Sequence, residues 1–488
     1  MDICTISAPS GQFRGKMEEN AVFFLGIPYA HAGRFQRPEP AVFPDGLDCF
    51  AYGPKSIQNP RDMRGPVEGP FSEDCLSLNI VCPRRNPDGK PLPVLLDIHG
   101  GAFQTGSGRD CGLFTLVTEE KAPLIVVSIN YRLGALGFLY LKDQLDSCQA
   151  DGNLGMYDQL CALKWVKENI ASFGGDPDNI TLHGVSAGGK SVGAMMLTPE
   201  AKPLFSQAIL SSGGIMAVRT PETARILSRR YLDILGLADI KDILSCPVDK
   251  ILAAQLEFAK SAGSTCLFGP VADGELIPLN WKEDIRSENG WIGNTLIGNN
   301  LHELMFFAFN PHLLEAAPGI AAELFGDRAK YAEAAFAELS KDAADDKEKV
   351  DCWVKVFSDY MYRSHGDNLA QILAGRGGKV WTYSFDYPPA HHSQDAVTLH
   401  MGGSADGPVP DPAPDAKEVK DRIMKAMRSA FADFVTSGNP NTPLLPEWGC
   451  VTPGHYERMH FDREFTFDDP ETPSLGEFPD DVIHLSST

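Results

Sequence analysis

Two runs in the first third of the chain are mostly apolar with little alternation, Leu92 to His99 and Ala122 to Asn130. Such runs suit strands buried on both faces of a mixed or parallel sheet. Gln12 to Gly15 and Ala21 to Gly26 predict short strands of an N-terminal hairpin. From Tyr157 to Ile170, Leu160, Leu163, Trp165 and Val166 fall at helical spacing. Asn179 to His183 then reads as a short strand, Ser186 to Met196 as a helix and Gln207 to Leu210 as another strand. Strand–helix–strand alternation of this kind argues for an α/β fold, its sheet covered on both sides.

The stretch from about 220 to 375 reads as mostly helical, with Pro221 to Leu235 and Ile320 to Leu339 as examples. Lys341 to Lys349 is a charged run, expected to be a solvated face. Residues 402–417 are Gly- and then Pro/Asp-rich and predict a loop. A last helix is expected from Lys417 to Thr436, stopped by Ser437-Gly438-Asn439-Pro440. With no repeat and no linker, residues 1–488 read as one domain with helical insertions in about 220–375.

Composition narrows the function classes. The 488 residues are 43% hydrophobic and 22% charged, ordinary for a soluble globular chain large enough for a sizeable core. A net charge of −22 repels phosphate backbones and anionic membranes, so no nucleic-acid partner and no membrane are expected. The N-terminus has no basic region followed by an apolar one, and no apolar run approaches ~20 residues. The expectation is a cytoplasmic protein. The 11 cysteines are scattered, with no Cys-x-x-Cys pair and no zinc spacing, so buried thiols and no metal are expected.

Gly184-Val185-Ser186-Ala187-Gly188 fits G-x-S-x-G. Alone the pattern is weak, since a glycine-rich turn can carry a serine by chance. Its context is stronger: the β-prone Ile180-Thr181-Leu182-His183 precedes it and a helix-compatible run comes after. A serine on so tight a strand-to-helix turn is strained, and glycine is needed two positions either way. The helix N-terminus then points its amides and dipole at a developing oxyanion. His99-Gly100-Gly101-Ala102-Phe103 succeeds the strand ending at Ile98 and can aim further N–H groups at one point. A phosphate-binding or purely structural turn is the other reading, but no lysine stands at Walker spacing.

Together these residues resemble the type-B carboxylesterases, the relatives of cholinesterases and bacterial para-nitrobenzyl esterases. The resemblance runs through Phe24 to Ala30, Arg34-Phe35, Ser72-Glu73-Asp74-Cys75-Leu76-Ser77-Leu78-Asn79 and Asn130 to Gly134. It continues through Asn153 to Gln159, Phe173 to Pro177, Ser211-Ser212-Gly213, Pro270 to Gly274, Phe434 to Asn441 and Trp448. It implies the α/β-hydrolase fold: a large central mixed, mostly parallel sheet flanked by helices, with helical insertions over the active site.

The resemblance also implies a Ser-acid-His chain order. Gly298-Asn299-Asn300-Leu301-His302-Glu303-Leu304 matches the family's acid stretch, except that Leu304 replaces a glycine, and Glu303 becomes the acid. Its neighbour His302 is expected to be a bystander. His392-Ser393-Gln394-Asp395 supplies the H-x-x-E/D context, which favours His392 as base over His391 and, more distantly, His400. The implied oxyanion donors are the N–H groups of Gly101, Ala102 and Ala187. Ser212 stands where the family has a supporting serine. Arg34 with Glu73 and Arg132 with Asp158 resemble its structural ion pairs.

Three features depart from the family pattern or bear on it. Val185 replaces a common glutamate, which removes a polar contact behind the triad. Lys190 opens the helix after the nucleophile and is expected to face solvent. Cys75 lacks its usual upstream partner and is expected to be a free thiol.

The expected function is hydrolysis of small or medium apolar carboxylic esters through a covalent acyl-enzyme, with activity rising through a histidine pKa near ~6.5. The same triad acting on amide, thioester or lactone bonds stays open, as does a non-catalytic binding module. Leu304 to Phe309 forms either a greasy pocket wall or helix core. No cofactor is implied, the partner is a small-molecule ester, and the oligomeric state stays open, with a monomer compatible.

Overall fold

The computed structural model describes residues 2–468 except 63–64, 87, 143, 146–148, 216–217, 263–266, 306–307, 309, 327–328, 402–412 and 454. Contacts divide the chain into two units, Met1–Gln207 with Val218–Trp291, and Ala208–Ala217 with Ile292–Thr488.

The first unit opens with β1 (Asp2–Ala8), β2 (Gly11–Met17) and β3 (Ala21–Pro28), each antiparallel to the next, with β4 (Phe43–Cys49) parallel to β2. The predicted hairpin strands lie within β2 and β3. Next come β5 (Ser77–Pro83), β6 (Leu92–Ile98), β7 (Ile125–Ile129) and β8 (Gly175–Val185). β5 is antiparallel to β3 and β7, whereas β6 lies parallel between β7 and β8. Every residue of β7, and of β6 all but Pro93, is buried, as two covered faces require.

Helix α1 (Leu154–Asn169) covers the predicted Tyr157 to Ile170 except its last residue, Ile170, which opens a 3₁₀ turn. Trp165 and Phe173 both lie 5.9 Å from the ring of Phe13 on β2. Helix α2 (Ala187–Leu197) is buried at every position. Lys190 is therefore 5% exposed rather than solvent-facing, because this helix has no wet side. Helix α3 (Pro221–Leu235) has its predicted bounds: Thr220 caps the Thr223 amide, Pro221 sits in the first turn and Gly236 at φ +61° ends it.

In the second unit the strand order is β9 (Gln207–Ser211, from Ala208 onward), β10 (Asn294–Asn300), β11 (Val380–Phe385), β12 (Arg458–Phe461) and β13 (Phe465–Asp468). β10, β11 and β12 are parallel and β13 turns back antiparallel. Among the helices are α4 (Leu313–Phe325), α5 (Ala329–Leu339), α6 (Asp346–Ser358), α7 (Ser364–Gly375), α8 (Gln394–Met401) and α9 (Ala416–Ser437). The expected single helix from Ile320 to Leu339 is thus two, broken at Gly326, whose φ of +54° suits only a glycine well. The Lys341 to Lys349 run is mostly exposed, as predicted. Most of the predicted 402–417 loop lies outside the described residues.

The first helices of this unit share one apolar cluster that includes Leu304, Ala317, Phe325, Trp353, Phe357 and Tyr360. Leu304 is therefore core; Phe306, Phe307 and Phe309 lie outside the described residues. Among the described residues no helix is long and apolar enough to cross a membrane. Nor does any group of three or more His, Cys, Asp or Glu among them offer a metal site.

Candidate active site

The first unit carries the serine. β8 ends at Val185 and α2 begins at Ala187, so Ser186 alone makes the turn, at φ 56° and ψ −118°. That conformation is strained for a residue with a side chain. Its neighbours show why glycine flanks it. A Cβ on Gly184 would lie 2.2 Å from the carbonyl carbon of Gly188, and one on Gly188 would lie 1.9 Å from the carbonyl oxygen of Ile98. The strand and helix meet too closely for any side chain.

The glycine loop after β6 lies directly against this turn. A Cβ on Gly100 would stand 2.5 Å from the Val185 oxygen and 3.4 Å from the Ser186 Cβ. Gly101, Ala102 and Phe103 come next at φ 109°, 54° and 59°, three left-handed residues in succession. The loop is closed by Gln104 and Thr105, whose amides donate to the Gly101 oxygen at 2.9 and 3.0 Å. The Phe103 oxygen accepts from the Gly134 amide at 2.7 Å. Ala187 begins α2, where backbone N–H groups have no acceptor within the helix.

The second unit carries the carboxylate and the imidazole. Glu303 lies just past β10 and is 1% exposed. One oxygen lies 2.5 Å from Nδ1 of His392. The other accepts from the Ser212 hydroxyl at 2.7 Å and the Asn300 amide at 2.8 Å. A carboxylate can only accept, so Nδ1 carries the proton and Nε2 is left as the basic atom. Burial pushes the Glu303 carboxyl upward, but His392 and the donors from Asn300 and Ser212 more than reverse this and hold it below the usual range.

His391 does not meet Glu303. It forms a parallel bridge with His302, and burial lowers the pKa of both imidazoles. Ser212, at φ 47°, is locked by its own amide donating to the Gly298 oxygen at 2.7 Å.

Behind this pair lies a polar network that the motifs do not reveal. The Asn300 amide group donates to Ser212 Oγ and to Asp395, each at 3.0 Å. The Asp395 backbone amide returns a bond to the Asn300 oxygen at 3.0 Å, and the Tyr383 hydroxyl donates to Asp395 at 2.7 Å. Burial raises the fully enclosed Asp395 carboxyl above its ordinary range. Asn300 and Asp395 stand inside the acid and histidine motifs, but their bond across β10 and α8 leaves no mark in the local sequence.

The family ion pairs are present. Arg34 grips Glu73, with Nε 2.8 Å from one oxygen, and donates to the Cys246 carbonyl at 2.6 Å. Arg132 holds the buried Asp158 through Nε at 2.8 Å and a terminal nitrogen at 2.7 Å. Cys75 is a free thiol, with the Ser56 hydroxyl 3.1 Å away.

A family model described as the carboxylesterase family matches residues 3–474. The chain is 31% identical to the para-nitrobenzyl esterase of Bacillus subtilis, over 97% of this chain and 99% of that one. It is 36% identical to a probable N-octanoylanthranilate hydrolase of Rhodococcus erythropolis, over 91% of this chain and 95% of that one. Among solved structures, a Geobacillus stearothermophilus carboxylesterase is similar at a TM-score of 0.82 and 32% identity, over 96% of this chain and 98% of that one. These likenesses show the expected α/β-hydrolase fold.

Proposed function

The chain belongs to the carboxylesterase family and is a serine carboxylesterase, and from that premise we propose that Ser186, His392 and Glu303 are its catalytic residues. His392 Nε2 takes the Ser186 proton as the oxygen attacks the ester carbonyl. The N–H groups of Gly101, Ala102 and Ala187 receive the oxyanion. The C–O bond breaks as His392 returns the proton to the departing alcohol, leaving an acyl-serine. Water then loses a proton to His392, attacks the acyl carbon and releases the acid, and the proton returns to Ser186. Glu303 stabilises the imidazolium, and Ser212 supports Glu303.

The observation that carries this reading is the single-residue turn at Ser186, pressed against the Gly100 loop. Such strain persists only where the surroundings over-determine it, and sites of chemistry are where it collects. Small or medium apolar esters are the proposed substrates. A reducing compartment, the cytosol, fits the described cysteines, all of which are free.

Turnover of p-nitrophenyl butyrate by Ser186→Ala, with fluorophosphonate labelling of the wild type, tests the assignment. Several orders of magnitude should be lost. A variant keeping more than a tenth of the wild-type rate would refute it. The similarity to a probable N-octanoylanthranilate hydrolase favours one second reading, the same triad opening an N-acyl amide. Assay of an N-acyl anilide beside the matching phenyl ester decides between the two.

A further inference from the structure

Residues 346–375 form one continuous helical rod with an irregular middle. Helix α6 runs to Ser358, a π-helical turn spans Asp359–Arg363, and α7 resumes at Ser364. A π turn accommodates about one residue more than an α turn, so the residues beyond it are rotated by ~100° relative to an unbroken helix. Beyond it, Leu369, Ala370, Leu373 and Ala374 are buried while Gln371 is exposed.

The widened turn touches both the acid segment and the base. Ser358, 1% exposed at its entrance, accepts a hydrogen bond at 3.0 Å from the amide of Leu304, the residue after Glu303. Tyr362, four residues on and so on the same side of the rod, places its ring centroid 4.9 Å from that of His392, tilted by 46°. Tyr362 is itself 5% exposed and belongs to the apolar cluster, so its ring has little freedom.

We propose that Tyr362 is a positioning residue for ester hydrolysis: the π turn holds its ring against His392, keeping the imidazole turned toward Glu303 and stabilising it while protonated. The inference rests on reading His392 as the base. An aromatic ring at this separation attracts a cation, and the imidazole is a cation only in the middle of each step. The same contact restricts rotation about the bonds that would swing Nδ1 away from Glu303. Other groups also bear on His392: Glu303 at 2.5 Å, His391 beside it in the chain, and Asp395 through Asn300. Substitution of Tyr362 leaves every one of them in place.

The test compares Tyr362→Phe, Tyr362→Leu and Tyr362→Met, measuring kcat and KM for p-nitrophenyl butyrate across pH. Leu and Met should lower kcat about five- to tenfold with KM within about twofold, and move the acid limb of the profile about half a unit to lower pH. Phe, which keeps the ring, should leave both within about twofold of wild type. Leu or Met variants that melt normally yet keep wild-type kcat and an unmoved limb overturn the proposal and leave Tyr362 as core filling.

A measurement on the folded wild type stands beside these variants. The ring proton signals of His392, identified by their loss in His392→Gln, should lie upfield through the ring current of Tyr362, and their absence there also overturns the proposal. His392→Gln separates the two levels of inference. If it keeps turnover, the base assignment falls. If it abolishes turnover while Tyr362→Met changes nothing, only the present inference falls.

Discussion

Nδ1 of His392 lies 2.5 Å from Oε2 of Glu303, with the carboxylate 1% exposed and the imidazole 27% exposed. The carboxylate proposed as the acid is sealed in, and the imidazole proposed as the base reaches solvent. Glu303→Gln would keep the shape but offer an amide NH2 that can turn Nδ1 into an acceptor and place the proton on Nε2, where a base needs none. The expected result is a fall in kcat of about 10³–10⁴ with little change in KM, by analogy with the same exchange in serine proteases. Steady-state kinetics on a p-nitrophenyl ester checks it.

Ser212 supplies one of the donors that keep the enclosed Glu303 ionised. A carboxyl held below its usual range contributes stability above its unfolded pKa of about 4.3, and that stability is lost as pH falls through the lower folded value. Ser212→Ala should therefore weaken the fold by about 1–3 kcal/mol at neutral pH and start acid unfolding at a higher pH. Urea titrations at pH 4, 5 and 7 read both effects.

Gly188 and Gly319 form a matched pair of helical glycines. A Cβ on Gly188 would strike the Ile98 oxygen, whereas one on Gly319 meets nothing within 4 Å. Gly188→Ala should cost about 3 kcal/mol or more, or abolish soluble protein, because two backbones would have to separate. Gly319→Ala should stabilise the fold by about 0.5–1 kcal/mol. Melting temperatures of the two proteins decide.

His460 on β12 lies 2.5 Å from Asp386 through Nδ1 and 3.0 Å from Asp468 on β13 through Nε2. Burial alone would lower its pKa, but the two carboxylates outweigh it and raise the imidazole to about 9. A raised histidine contributes stability that is complete below its unfolded pKa of about 6.5 and lost as pH climbs through 9. With Asp468 half exposed, the contribution is about 1–2 kcal/mol. Unfolding free energies at pH 6, 8 and 9.5 should fall in that order, and His460→Gln should flatten the trend.

Much of the fold was legible in the residues. Runs covered on both faces gave up β6 and β7, because a strand packed on two sides has few polar positions, here only Asp97 and Ser128. Pro221 and Gly236 bracket α3 because their preferred dihedrals coincide with those of a helix start and stop. Other features were not legible. β10 ends in Gly298-Asn299-Asn300 and lacks an apolar signature, since its last residues serve the carboxylate rather than the core. Lys190 carried a charge in a helix that proved wholly buried, and a single sequence cannot show that no side of a helix is wet. The Asn300–Asp395 bond joins residues 95 positions apart, beyond any local period.

The helix behind Ser186 has no position open to water. Mobile ions screen a peptide dipole only where they can approach it, and here they are kept away along its whole length. The pull of that terminus on a negative charge at the serine can then be screened only from the half-buried side of Ser186 itself. The chemical step should change little between dilute buffer and molar sodium chloride, even though a chain of net charge −22 responds strongly to both.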